Sequence, residues 1–260
     1  MERAFITGRG LITPIGNDLA ANEAALRAGK CGIVRVPDFV EHKLSCEVGG
    51  LVQGALETEL IDRKKLRFCP PVGVMSVIAA QEAFAEAGLP LEELRERRIA
   101  IIGGVAGGNY IEVFDEADGY IRSDYRLRNV CPYSVPRVMP SSAISNLSLI
   151  FGITGESYDI SAACASSALS IMVGTRLIRS GQYDIVLAGG AEQIDWVQAL
   201  GFCACRALSH KYNETPERAS RPFDRDRDGF VLAAGAAYVV LESERSCRAR
   251  GVKPISEISG

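Results

Sequence analysis

Short β-branched runs bounded by glycine alternate with alanine-rich stretches along almost the whole chain, and that alternation leaves few folds open. Five runs read as buried strands: Ala4 to Gly8, Arg98 to Gly103, Ser157 to Ser161, Asp184 to Gly189 and Ala237 to Leu241. Helical stretches lie between them. Asp18 to Ala28 carries a capping residue and a closing Gly29, and Val72 to Ala87 closes at Gly88 in the same way. Ser141 to Phe151 and Cys164 to Arg179 complete the set. Such alternation predicts α/β layering, with helices packed on a central, mainly parallel or mixed sheet. No linker-like segment or short repeat interrupts it, and 260 residues at 47% apolar composition are enough for one large core. Ile255 to Ile258 looks like the opening of a further strand, so the fold is expected to continue past Gly260.

The 32 acidic residues nearly balance 29 basic ones, and a net charge of −3 gives no bulk attraction for nucleic acid or a membrane surface. The first residues are charged (Glu2, Arg3, Arg9), and the longest nearly apolar run, Gly229 to Leu241, is too short to span a bilayer. A cytoplasmic location is expected. Eight cysteines without secretory features favour reduced thiols. Cys203 and Cys205 have only His42 and His210 to complete a metal site, neither at zinc spacing, so no metal is predicted. Cys46 and Cys247 fall in polar stretches and are expected to be exposed.

The most informative segment is Tyr158 to Ile171, YDISAACASSALSI, where a strand meets small residues, reaches Cys164 and becomes a helix. A cysteine in the first turn of a helix feels the positive dipole end and unpaired amides, which favour thiolate, and its own N–H can serve an oxyanion hole. Taken alone, the same pattern also describes a cysteine used for packing.

This segment, continued by RLIRSGQYDIVLAGGAE (Arg176 to Glu192), resembles the active-site region of the β-ketoacyl-acyl-carrier-protein synthases. ITGRGLITPIGN (Ile6 to Asn17), GFCACRALS (Gly201 to Ser209) and SRPFDRDRDGFVLAAGAA (Ser220 to Ala237) match the same family in the same order. The resemblance implies a thiolase-like fold, with residues 1–260 as the N-terminal half of an αβαβα layered sandwich containing a mixed five-stranded sheet. It implies an acyltransferase of fatty acid or polyketide biosynthesis that needs no cofactor. Cys164 would take the acyl chain from an acyl carrier protein or coenzyme A thioester. A malonyl thioester would then lose CO2, and the carbanion would attack the acyl-cysteine. The partners implied are the acyl carrier protein, acyl and malonyl thioesters, and a second subunit, identical or related.

The family's two catalytic histidines, its lysine and a second oxyanion donor belong to the C-terminal half, and no motif for them occurs here. His42 and His210 match neither histidine and read as surface residues. Either the sequence is a truncated form or its missing half comes from another polypeptide. An apolar face left uncovered would promote self-association.

By the same resemblance, Phe202 and Phe230 match positions bordering the acyl cavity, though both also suit plain core aromatics. Arg63, Lys64, Lys65 and Arg67, with Arg206, match basic residues that dock an acidic carrier protein, although charge runs are commonly just solvated faces. DRDRDG (Asp224 to Gly229) imitates a calcium loop but has Gly235 where a bidentate glutamate is required, and it reads instead as a buried or half-buried ionic network. GGVAGGN and GRGLITPIG place Val105 and Thr13 at glycine positions of a dinucleotide fingerprint, so tight turns at strand ends explain them better. Two other function classes fit less well: a non-catalytic chain-length subunit, disfavoured by the presence of Cys164, and a cysteine hydrolase, disfavoured by Ala162 and Ser166 where glycines would flank the nucleophile.

Overall fold

The computed structural model describes residues 2–54 and 56–259. In chain order its elements are β1 (Ala4–Ile12), α1 (Leu19–Arg27), β2 (Ile33–Arg35), α2 (Pro37–Glu41), β3 (Val48–Gly50), α3 (Pro71–Glu86), β4 (Ile99–Gly104) and α4 (Tyr110–Arg122). There follow α5 (Ser134–Val138), α6 (Ser142–Phe151), β5 (Ser157–Ile160), α7 (Ser166–Arg179), β6 (Ile185–Glu192), α8 (Trp196–Ala204), β7 (Gly235–Ser243), α9 (Glu244–Arg250) and β8 (Ser256–Glu257).

The main sheet has the order β5-β4-β6-β7-β1-β8. β5, β4 and β6 run parallel, while β7, β1 and β8 pair antiparallel in turn. It is therefore mixed as expected, but it has six strands and not five. The addition is β8, two residues of the Ile255 to Ile258 stretch laid against Phe5 and Ile6. A separate hairpin pairs β2 with β3.

The period-two alternation of side chains sorts the central strands onto two cores. Ile99, Ile101, Leu187 and Val240 face the side covered by α3 and α6, and Ala100, Ile102, Val186, Ala188 and Leu241 face α7. Both faces of β4 and β6 are covered, which is why these strands read as continuous apolar runs. Burying each isoleucine side chain contributes roughly 2–3 kcal/mol.

Ten residues of α3 are buried, so it is apolar on nearly all sides and lies within the protein. Gly8 and Gly10 permit this. A Cβ on Gly8 would stand 2.1 Å from the Ala83 carbonyl oxygen, and one on Gly10 would stand 1.9 Å from that of Ala79. These two glycines thus lie inside β1 and serve close helix packing, where the sequence suggested a turn at a strand end. Cys46 and Cys247 are also buried, against expectation. Cys46 enters the core formed by Phe39, Val48 and Leu208, and the polar residues around it in the chain point outward.

Candidate active site

The carboxyl ends of the three parallel strands lie side by side, the usual place for a site in an α/β sheet. The segment after β5 carries Cys164, the loop after β4 carries Ala106 and Gly107, and the segment after β6 leads into α8.

Cys164 stands two residues before the first residue of α7, so it precedes the helix and does not belong to its first turn. Ala163 causes the offset: its φ of 50° lies in the left-handed region, where an alanine is strained. The buried Ser166 braces this turn. Its Oγ accepts from the Ala162 amide at 2.8 Å and donates to the Ala163 carbonyl at 2.7 Å. Small residues let the helix start descend onto the strands, since a Cβ on Gly104 would lie 2.4 Å from the Ser166 carbonyl carbon. A Cβ on Gly190 would lie 2.2 Å from the Gly104 carbonyl oxygen and equally near Ser167 Oγ. The result is an exposed thiol at the top of a rigid platform.

That thiol faces a largely apolar cavity of about 410 Å³, whose walls include Gly107, Tyr110, Gln198, Phe202 and Cys205. Phe202 is thus brought together with Cys164. Phe230 is not part of the wall; its ring meets that of Phe202 edge-on, with centroids 5.3 Å apart. Arg206, exposed at the end of α8, adjoins the wall residue Cys205. Arg63, Lys64 and Arg67 are exposed in another segment, and Lys65 turns inward to donate to the Leu60 carbonyl at 3.0 Å. Arg137 of α5 reaches the Leu66 carbonyl in this basic run at 3.4 Å, and the carbonyl of Val138 beside it accepts from the Asn109 amide at 3.4 Å. The run is therefore linked through α5 to the cavity loop.

The two histidines lie outside the cavity wall: His42 stacks on Trp196 at 4.0 Å, and His210 is exposed beside Asp228. The DRDRDG stretch is a network only at its ends. Asp228 is buried and accepts from Ser209 Oγ and from the amides of His210 and Lys211, and Arg221 pairs with Asp224 at 2.9 Å. Arg225 and Asp226 between them are solvated. One further group of side chains with metal-ligating atoms comes together among the described residues, Glu112, Glu116 and Cys131, but Arg137 already holds Glu112 in a two-point ion pair.

The thiols fall into distinct environments. Burial pushes Cys69 up to about 12 and Cys247 to about 11, and it raises Cys46 as well. Under the cavity loop lie two carboxyls the sequence reading passed over. Burial pushes Asp159 up to about 6, and burial raises Glu192 despite donation from the amides of Ala106 and Gly107. Tyr110, Gln198 and Cys205 were also missed as cavity residues. The glycines of GGVAGGN were the available signal that a backbone comes close to something here.

Comparisons with known proteins bear on the family of the chain. Residues 1–246 match the family model described as beta-ketoacyl synthase, N-terminal domain. The chain belongs to the β-ketoacyl synthase family. This synthase chain is 40% identical over 260 residues to 3-oxoacyl-acyl-carrier-protein synthase 1 of Haemophilus influenzae, covering all of this chain and 64% of that protein. It is 40% identical over 263 residues to the synthase of the same name from Escherichia coli K12, again over all of this chain and 64% of the relative. Among solved structures, a β-ketoacyl synthase from Burkholderia phymatum superposes with a TM-score of 0.90 at 32% identity, covering all of this synthase chain and 64% of that one. The sequence thus spans somewhat under two thirds of the length of these relatives.

Proposed function

We propose that residues 1–260 are the cysteine-bearing N-terminal half of a 3-oxoacyl-acyl-carrier-protein synthase and that Cys164 is its acyl acceptor. The observation that carries this reading is the exposed Cys164 thiol, held on a strained, Ser166-braced turn and facing an apolar cavity. In the first half-reaction the Cys164 sulfur attacks the thioester carbonyl, a new S–C bond forms, and the carrier thiol leaves with the proton that Cys164 gave up. The Cys164 amide would donate to the oxyanion, and Phe202, backed by Phe230, would bound the acyl chain. Decarboxylation of a malonyl thioester and attack of its carbanion on the acyl-cysteine need proton-handling groups, and among the described residues no histidine lines this cavity. Those groups would come from the part of such a synthase that this chain does not span.

The names of the relatives support an acyl carrier protein as substrate carrier, and exposed Arg63, Lys64, Arg67 and Arg206 offer cations for an acidic partner. Large exposed apolar side chains support burial against further protein, a C-terminal half and a second identical or related subunit. They include Phe223, 99% exposed, and Val113, Ile121, Leu127 and Leu149. Eight unpaired cysteines suit a reducing, cytoplasmic setting. Among the described residues no helix is long and apolar enough to cross a membrane.

Incubation with an acyl thioester followed by peptide mass spectrometry tests the assignment. The acyl mass should fall on Cys164 and vanish in Cys164→Ala. Acylation that persists elsewhere in that variant, or never reaches Cys164 in the full-length protein, would refute it.

A further inference from the structure

Glu192, the last residue of β6, turns its carboxylate under the loop that follows β4. Its Oε2 accepts from the Ala106 amide at 2.9 Å, and the neighbouring Gly107 amide favours its charged form. Both residues form part of the cavity wall that faces the Cys164 thiol. Two neighbours secure the far end of the loop. Gln193 Nε2 donates to Asn109 Oδ1 at 2.8 Å, and Asp195 Oδ2 accepts from the Ile111 amide at 3.3 Å. The hold on the Ala106 wall amide therefore falls to Glu192.

A carboxylate is an expensive choice for that position. Burial opposes its charge, and the charged neighbours that act on it, Asp159 on β5 and Asp195 past β6, are acidic as well. A group kept against such opposition at the wall of a reactive cavity is a functional candidate. The wall also has little slack. A Cβ on Gly107 would stand 2.8 Å from Tyr110 Cε2 and 3.4 Å from Gln198 Nε2, so a small loop displacement drives backbone into side chains on the same wall.

We propose that Glu192 is a positioning residue for long acyl groups: by holding the Ala106 amide it fixes the loop surface along which the chain on Cys164 lies. This rests on the acyl-cysteine reading above. A two-carbon acyl group does not extend along the loop, whereas an eight-carbon chain does.

The test compares Glu192→Gln with Glu192→Met in the full-length protein, following acylation of Cys164 by acetyl and octanoyl thioesters. The glutamine oxygen still accepts from the Ala106 amide; methionine fills a similar volume without an acceptor. The methionine variant should raise KM for the octanoyl thioester about fivefold, the effect of losing one net hydrogen bond, with kcat and the acetyl KM little changed. The glutamine variant should stay close to the unmodified enzyme. An unchanged octanoyl-to-acetyl ratio in the methionine variant overturns the proposal, and so does an equal loss with both substrates. Should the methionine variant fail to fold, Glu192→Asp, one methylene too short for the Ala106 amide, should shift the same ratio in the same direction, and no shift again overturns it. If the unmodified enzyme acylates Cys164 with neither thioester, the acyl-cysteine reading itself has failed, a result distinct from a flat ratio.

Discussion

Replacing Asp159 with asparagine should stabilise the protein, and only above a certain pH. Asp159 lies on the strand that leads to Cys164, and its Oδ1 is buried without a hydrogen-bond partner among the described residues. Burial pushes the carboxyl up to about 6, although the Val105 amide opposes the shift. Against an ordinary aspartate near 3.9 that is ~2 pH units, worth at most about 3 kcal/mol at ~1.4 kcal/mol each. The group is only half-buried, so solvent screening reduces this to ~1–2 kcal/mol. The sign follows from the direction of the shift. A carboxyl whose folded-state value lies above its unfolded one favours folding relatively at low pH, and the penalty for ionising it grows from about pH 4 to pH 6 and is complete above that. Asparagine carries no charge to desolvate. Asp159→Asn should therefore raise the unfolding free energy by ~1–2 kcal/mol near neutral pH, with the gain fading toward pH 4. Urea unfolding followed by circular dichroism across this range measures it. A difference independent of pH, or a loss of stability near neutral pH, would refute the burial argument.

Removing the brace of the nucleophile turn with Ser166→Ala leaves the Ala162 amide without its acceptor, which should cost ~1–2 kcal/mol in unfolding free energy and slow alkylation of Cys164 by iodoacetamide. Equal alkylation rates in the two proteins would show that the turn holds itself. Charge reversal at Arg63, Lys64 and Arg67 together should weaken carrier-protein binding by the full-length enzyme at least tenfold at low salt, and less as ionic strength rises. Unchanged affinity in titration calorimetry would remove these residues from the docking surface.

Much of the candidate site was out of reach of a linear reading. Tyr110, Gln198 and Cys205 come from segments tens of residues away from Cys164 and share a wall with it only because parallel strands end side by side. Helix α4 was legible in principle, since Ile111, Phe114, Ala117, Tyr120 and Ile121 recur at helical spacing, although none of its residues is buried. The β2–β3 hairpin escaped because three-residue strands show almost no period.

Local chemistry determined the rest. A run of β-branched residues between glycines is a strand in nearly any α/β context, and small residues around Cys164 announce a tight strand-to-helix turn whatever surrounds it. Those features were legible from sequence alone because period, side-chain size and backbone freedom act over a few residues. What the tertiary structure decided was proximity: the cavity before the thiol, the Ala106 amide that falls to Glu192, the burial of Cys46 and Cys247, and the pairing of β8 on the edge of β1. Each depends on which distant segments pack together, and packing is a property of the whole sheet with its helices.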